Sequence, residues 1–151
     1  MMWKTHLAGA LLLGLLLRSF FPSAESIVFY VVVISASFIP DIDHPSSWIN
    51  NRLKVTKIIS AFVKHRGIFH SGLFGVSLTV LTYLFISKTY AWPLLIGFFS
   101  HILLDGLTRE GVNLLHPLGT LHMRGPIITN SLQETVTFGL ILLGVAWQVL
   151  H

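Results

Sequence analysis

Cysteine is absent from the 151 residues, which excludes disulfide staples and thiolate metal ligands. Any metal must therefore be held by His, Asp, Glu or water. Charge is nearly as scarce: six acidic and ten basic residues make up 11% of the chain, against 53% hydrophobic residues. That balance lies far outside the soluble average, and so few charges cannot cover a water-soluble domain of this length. The composition points to a bilayer as the main solvent. The formal net charge of +4 needs no nucleic acid to explain it, and no direct nucleic-acid binding is indicated. Most of the positive charge falls in loops, where it reports topology.

What is present is a series of apolar segments, four of them carrying polar residues at or near one end. Leu7 to Leu17 is almost wholly apolar between Lys4 and Arg18. To reach the roughly 20 residues of a spanning helix it must continue through Phe21, with Arg18 snorkelling. A basic start, an apolar core and Pro22-Ser23-Ala24 also fit a cleaved signal peptide loosely, although cleavage would discard His6. Ile27 to Ile39 is rich in β-branched residues, but several such segments in a row favour helices over a barrel, whose strands would alternate polar and apolar. Ser23 or Ser26 is the expected cap. Pro40 then disfavours helix at Ile39, which predicts an extended step projecting Asp41 and Asp43 to one side.

From Ser46 to Lys64, four cations (Arg52, Lys54, Lys57, Lys64) interleave with apolar residues at helical spacing. This reads as a basic amphipathic helix on anionic headgroups or as a solvated connector. The third span opens at His65-Arg66-Gly67-Ile68-Phe69-His70-Ser71 and runs to about Ser87. His65 and His70 are too far apart to share a helix face, and Gly67 suggests a turn that leaves His70 in the first turn of the span. The fourth span, Tyr90 to about Leu107, holds His101 and Asp105 at i, i+4 on one face. Such a pair is expensive in lipid and should face a polar interior.

Thr108 to Gln133 is loop-like, broken by Gly111, Pro117, Gly119, Gly125 and Pro126, and carries Arg109, His116, His122 and Arg124. Ser131-x-x-Glu134 reads as a capping box for the last segment, Thr135 to Leu150, where Gly139 and Gly144 would admit close helix approach. The expected fold is an all-α polytopic membrane bundle of about four to five transmembrane helices, in one domain covering residues 1–151.

Charge placement supplies an independent test. With five spans, Lys4, Arg52, Lys54, Lys57, Lys64, Arg66, Arg109 and Arg124 share one side, and only Arg18 and Lys88 lie on the other. The positive-inside rule makes the crowded side cytoplasmic. His6, Asp41, Asp43, His44, His65, His70, His101 and Asp105 fall at that same side, so four helix ends converge there. Imidazoles and carboxylates without Cys suit zinc or another first-row divalent ion, and an open coordination position would make water a nucleophile near neutral pH. The expected ligands are His6, Asp43, His70, His101 and Asp105, with His44 and His65 as further candidates. Asp41 is open to three roles: second ligand, bridging group, or the catalytic base that orients water.

The order Thr5-His6, Pro40-Asp41-Ile42-Asp43-His44, His65-Arg66-Gly67-Ile68-Phe69-His70-Ser71 and Ser100-His101-Ile102-Leu103-Leu104-Asp105, followed by Leu107-Thr108, resembles the LexA-binding, inner-membrane-associated metal-dependent hydrolase family across nearly the whole chain. The resemblance implies an inner-membrane hydrolase linked to the DNA-damage response, with LexA as a partner, and leaves the substrate open. A weaker similarity is to the zinc-dependent phospholipase C and single-strand nuclease superfamily, with His6, Asp43, His70, His101 and Asp105 in the matching order. That superfamily continues with a further His and a His-x-x-x-acid pair. His116 and His122 have no acidic partner at i+4, so one or two metals fit better than three. The analogy implies a phosphoester substrate, such as a membrane lipid headgroup meeting Arg66, Arg109 or Arg124.

Two other classes use the same residues. Intramembrane His and Asp also mark ion or metal transport pathways, but a transporter would continue its polar residues toward the other face, and the outer halves of these segments are nearly all apolar. A non-enzymatic partner protein with a structural metal would show closed coordination.

Overall fold

The computed structural model describes residues 1–22, 25–43 and 67–151. The amphipathic reading of Ser46 to Lys64, together with His44, His65 and Arg66, lies outside the described residues, as does the side chain of Asp43. Among the described residues there are five α-helices: α1 (Trp3–Leu17), α2 (Ser26–Ala36), α3 (Gly72–Phe85), α4 (Lys88–Gly106) and α5 (Leu132–Leu150). Short 3-10 turns occupy Arg18–Phe20, Pro40–Asp43 and Ile68–His70, and an antiparallel two-residue ladder pairs β1 (Val112–Asn113) with β2 (His122–Met123).

Helices α1 and α4 form the middle of the bundle. Helix α4 packs on α1, α2 and α3, while α1 packs on α2, α4 and α5. One core cluster joins Ala10 of α1, Phe29 and Val33 of α2 and Ile96 of α4. A second joins Phe98 and Ile102 to Val112 of the ladder, with Ile39 and Phe74 against it. The α2–α4 crossing is close because Gly97 lies on the Val33 carbonyl, where a Cβ would overlap the oxygen and crowd Ala36. Such small-residue contacts let helices associate where lipid removes the hydrophobic drive between them.

The distribution of polarity is inverted relative to a water-soluble domain. Leu81, Leu84, Phe85, Leu140, Leu143 and Trp147 are exposed, whereas Thr5, His6, His70, His101, Asp105, Thr108 and Glu134 are buried. Exposed apolar surface on this scale marks contact with lipid or another apolar partner. Among the described residues α5 is the one helix long and apolar enough to cross a membrane; α2 and α3 are apolar but shorter.

Several local expectations are corrected. Helix α2 has Glu25 at its N-cap with no side-chain cap bond, and Ser26 is its first helical residue. The Ser26 hydroxyl instead accepts from Arg18, 3.0 Å away. The Arg18 guanidinium also donates to the Phe21 carbonyl and lies over the Phe29 ring, so it closes the α1–α2 turn. Pro40 opens a 3-10 turn rather than an extended step, since its fixed φ suits the first position of a helical turn. His70 ends a 3-10 turn just before α3, and Ser71 caps that helix by accepting from the Phe74 N–H at 3.1 Å. Gly139 faces open space, while Gly144 does lie on Leu12. Ser131 makes no cap bond to α5; its hydroxyl donates back to the Ile128 carbonyl.

Candidate metal centre

The chain folds so that the start of α1, the turn after α2, the turn before α3 and the last turns of α4 meet at one end of the bundle. His6 comes from the first turns of α1, Asp41 from the Pro40–Asp43 turn, His70 from the Ile68–His70 turn, and His101 with Asp105 from α4. Helix α4 stops just beyond Asp105 because Thr108 locks its end. The Thr108 hydroxyl donates to the Asp105 carbonyl at 2.6 Å and accepts from the Gly111 N–H at 3.2 Å. Gly111 has φ of +67°, a left-handed conformation that glycine adopts without strain.

Asp105 is the hub. Its Oδ1 lies 3.3 Å from His6 Nε2, and its Oδ2 lies 3.6 Å from His101 Nε2 and 3.7 Å from His70 Nε2. Asp41 Oδ1 lies 3.8 Å from His101 Nε2. The rings of His6 and His101 stack in parallel with centroids 3.7 Å apart, and His70 meets His101 edge-on at 5.4 Å. Donor atoms fall into two overlapping sets, His6–His101–Asp105 and Asp41–His70–His101, each within 4.8 Å. His101 belongs to both, so they form one continuous site.

The donor set fits a divalent ion. Zinc bonds to nitrogen and carboxylate oxygen of about 2.0–2.1 Å place tetrahedral ligand atoms roughly 3.3 Å apart, close to the separations around Asp105. His6 Nδ1, His6 Nε2 and His101 Nε2 are buried and make no hydrogen bond to the described residues. Buried polar atoms rarely go without a partner, so these nitrogens point to a ligand. On His101 the other nitrogen is 2.7 Å from the Ser37 carbonyl. A carbonyl only accepts, so Nδ1 carries a proton and Nε2 is the ring nitrogen turned toward Asp105 and available to a ligand. This is the outer-shell arrangement that fixes ligand histidines. In this structure the cation beside Asp105 is the Met1 α-ammonium group, 2.6 Å from Oδ1.

His6, Asp41, His70, His101 and Asp105 are thus side by side. Of the expected substrate-binding cations, Arg109 is exposed on the loop that follows α4, its backbone N–H bonded to Ile127 O. Ser37 and Glu134 were not singled out as part of the centre from sequence. Ser37 acts through a backbone carbonyl, which leaves no trace in residue type. Glu134 carries a signal, as an acid opening an otherwise apolar segment, but the same residue type and spacing also fit a capping box.

A model of the YdjM inner membrane protein family matches residues 1–150. Inner membrane protein YdjM of Escherichia coli (strain K12) is 40% identical over 91 residues, covering 56% of this chain and 46% of that protein. The alignment to inner membrane protein YdjM of Shigella flexneri has the same identity and coverage. The chain thus spans less than half the length of either. Uncharacterized protein YvsG of Bacillus subtilis (strain 168) is 33% identical over 131 residues, covering 82% of this chain and 78% of that protein. No solved structure matches the chain.

Proposed function

The chain belongs to the YdjM inner membrane protein family, and from that premise we propose that it is a multi-pass, metal-dependent hydrolase whose site opens at the cytoplasmic face and acts on a membrane-associated phosphoester. One observation carries the reading: three buried imidazoles converge on Asp105 and a second carboxylate, Asp41, reaches His101, so that four separate elements supply one cluster. A purely packed helix end would not gather three imidazoles and two carboxylates, since burying such polar groups costs stability unless a ligand or partner offsets it.

His6, His101 and Asp105 would hold the ion, with His70 and Asp41 completing its surroundings. A divalent ion, most simply zinc, supplies Lewis acidity there and makes water nucleophilic near neutral pH. Ser37 fixes the His101 ring. Asp41, whose side chain is 19% exposed against 4% or less for the other four, is the group nearest an incoming substrate and takes the proton from the attacking water. Water adds to phosphorus, the ester P–O bond breaks, and the proton held by Asp41 passes to the leaving alcohol. Arg109 and Arg124, both exposed on the loop that follows α4, are suited to phosphate oxygens. LexA as a partner rests on family resemblance alone.

The test presents zinc-loaded protein in liposomes with phospholipid and generic phosphodiester substrates, beside Asp41→Asn. Zinc-dependent turnover that falls by about 100-fold or more in Asp41→Asn is the expected result for a lost general base. Zinc that binds but supports no turnover would favour the structural-metal role, and zinc flux without hydrolysis would favour transport.

A further inference from the structure

Glu134 is the only residue of α5 that is fully buried. Helix α5 is otherwise an apolar rod, so a carboxylate hidden at its first turn calls for a reason. The reason lies on α1. That helix has Met2 at its N-cap, which offers no side-chain acceptor, and no acid in its first turn. A helix start leaves amide donors that need acceptors. Glu134 Oε1 accepts from the Met2 N–H at 2.5 Å and from the Thr5 hydroxyl at 3.2 Å, while Oε2 accepts from the Asn130 N–H at 2.7 Å. Two helix N-termini therefore converge on one carboxylate, whose negative charge suits the positive end of both macrodipoles.

Thr5 is followed by His6, and both are buried. Two donors from the start of α1, on a carboxylate that the Asn130 N–H holds in place, fix the rotation and axial position of the first turn of α1, which is what sets the His6 ring over His101 and beside Asp105. We propose that Glu134 is a positioning residue for the metal centre, clamping the start of α1 to α5 so that His6 is held in ligand geometry. This rests on the metal-centre reading above. Glu134 lies in none of the ligand sets, so its effect on the ion passes through α1.

The experiment uses full-length protein in detergent. Zinc affinity is measured by competition with a chromophoric chelator, and hydrogen exchange of α1 and α3 amides is followed with zinc removed. The variants are Glu134→Ala, Glu134→Gln, Thr5→Val and, as ligand control, His101→Ala. Glu134→Ala should weaken zinc binding by about tenfold or more, the scale of outer-shell losses, and speed exchange in α1 while α3 is unchanged. Glu134→Gln keeps an acceptor for Met2 and Thr5 and should recover part of the affinity. Thr5→Val removes one donor at nearly constant shape and should lose less than Glu134→Ala. If Glu134→Ala does not fold, Thr5→Val and Glu134→Gln carry the test.

Wild-type zinc affinity in the Glu134 and Thr5 variants, with His101→Ala deficient, would overturn the clamp and leave the metal centre standing. Faster exchange spread equally over α1 and α3 would also overturn it, by making Glu134 a general stabiliser. Zinc binding absent from wild type itself would remove the metal centre and the positioning role together.

Discussion

His101 is the residue on which the site depends most, because both of its nitrogens are committed. Nδ1 donates to the Ser37 carbonyl and Nε2 faces Asp105 and Asp41. Removing the ring would delete a candidate ligand atom and leave Asp105 with fewer partners in a buried setting. His101→Ala and Asp105→Ala should each reduce zinc affinity by more than the ~10–100-fold typical of outer-shell changes. His151→Ala should leave it unchanged, since that ring stacks on Trp147 at the far end of α5. Metal analysis of the purified variants is the check, and full occupancy in both would dismiss the helical pair as ligands. The i, i+4 spacing of His101 and Asp105 was readable in the chain because helical period alone puts the two on one face. The Ser37 contact was not, because a backbone carbonyl can come from any residue. Nor was the turn that carries Asp41, because a proline after an apolar run can begin an extended step or a helical turn.

At the scale of elements, apolar runs located the helices well: the breaks at Pro40, Gly67 and the Gly/Pro-rich loop after Leu107 all lie between helices. Which glycines serve close packing was not legible, because spacing does not reveal which face of a helix meets a neighbour. Gly139 looked equivalent to Gly144, yet it faces open space, and the crossing that needs a missing Cβ is at Gly97 against Val33. The neighbour at Gly97 is main chain, which cannot rotate aside. Gly97→Ala should therefore destabilise the protein by about 1–3 kcal/mol, the range for overpacked sites, and should disturb α2, whose end carries Ser37. Gly139→Ala should be neutral or stabilising by up to about 1 kcal/mol, since alanine is the better helix former where space is free. Thermal unfolding in one detergent decides both. Equal destabilisation by the two substitutions would mean that the α2–α4 crossing is not the tight contact described.

At the scale of the whole molecule, connectivity sorts the helix ends. Helix α1 leaves the candidate metal centre, α2 returns to it, α3 leaves, α4 returns, and α5 leaves again from Glu134. The α1–α2 and α3–α4 turns, with Arg18 and Lys88, therefore lie at the end opposite His6, His70, His101 and Asp105. Helix α5, at 19 residues, is about 28 Å long by helical rise, close to the ~30 Å apolar thickness of a bilayer. It should cross completely and carry His151 to the Lys88 side. Because the chain has no cysteine of its own, single substitutions give a clean readout with a membrane-impermeant maleimide. Lys88→Cys and His151→Cys should react in intact spheroplasts, and Leu118→Cys, at the highly exposed tip between β1 and β2, should react only after permeabilisation. Labelling of Leu118→Cys from outside would put the site on the periplasmic face against the positive-inside rule. Labelling of Lys88→Cys and Leu118→Cys from one side alone would end the multi-pass reading, because α4, which separates them, would then not span the bilayer.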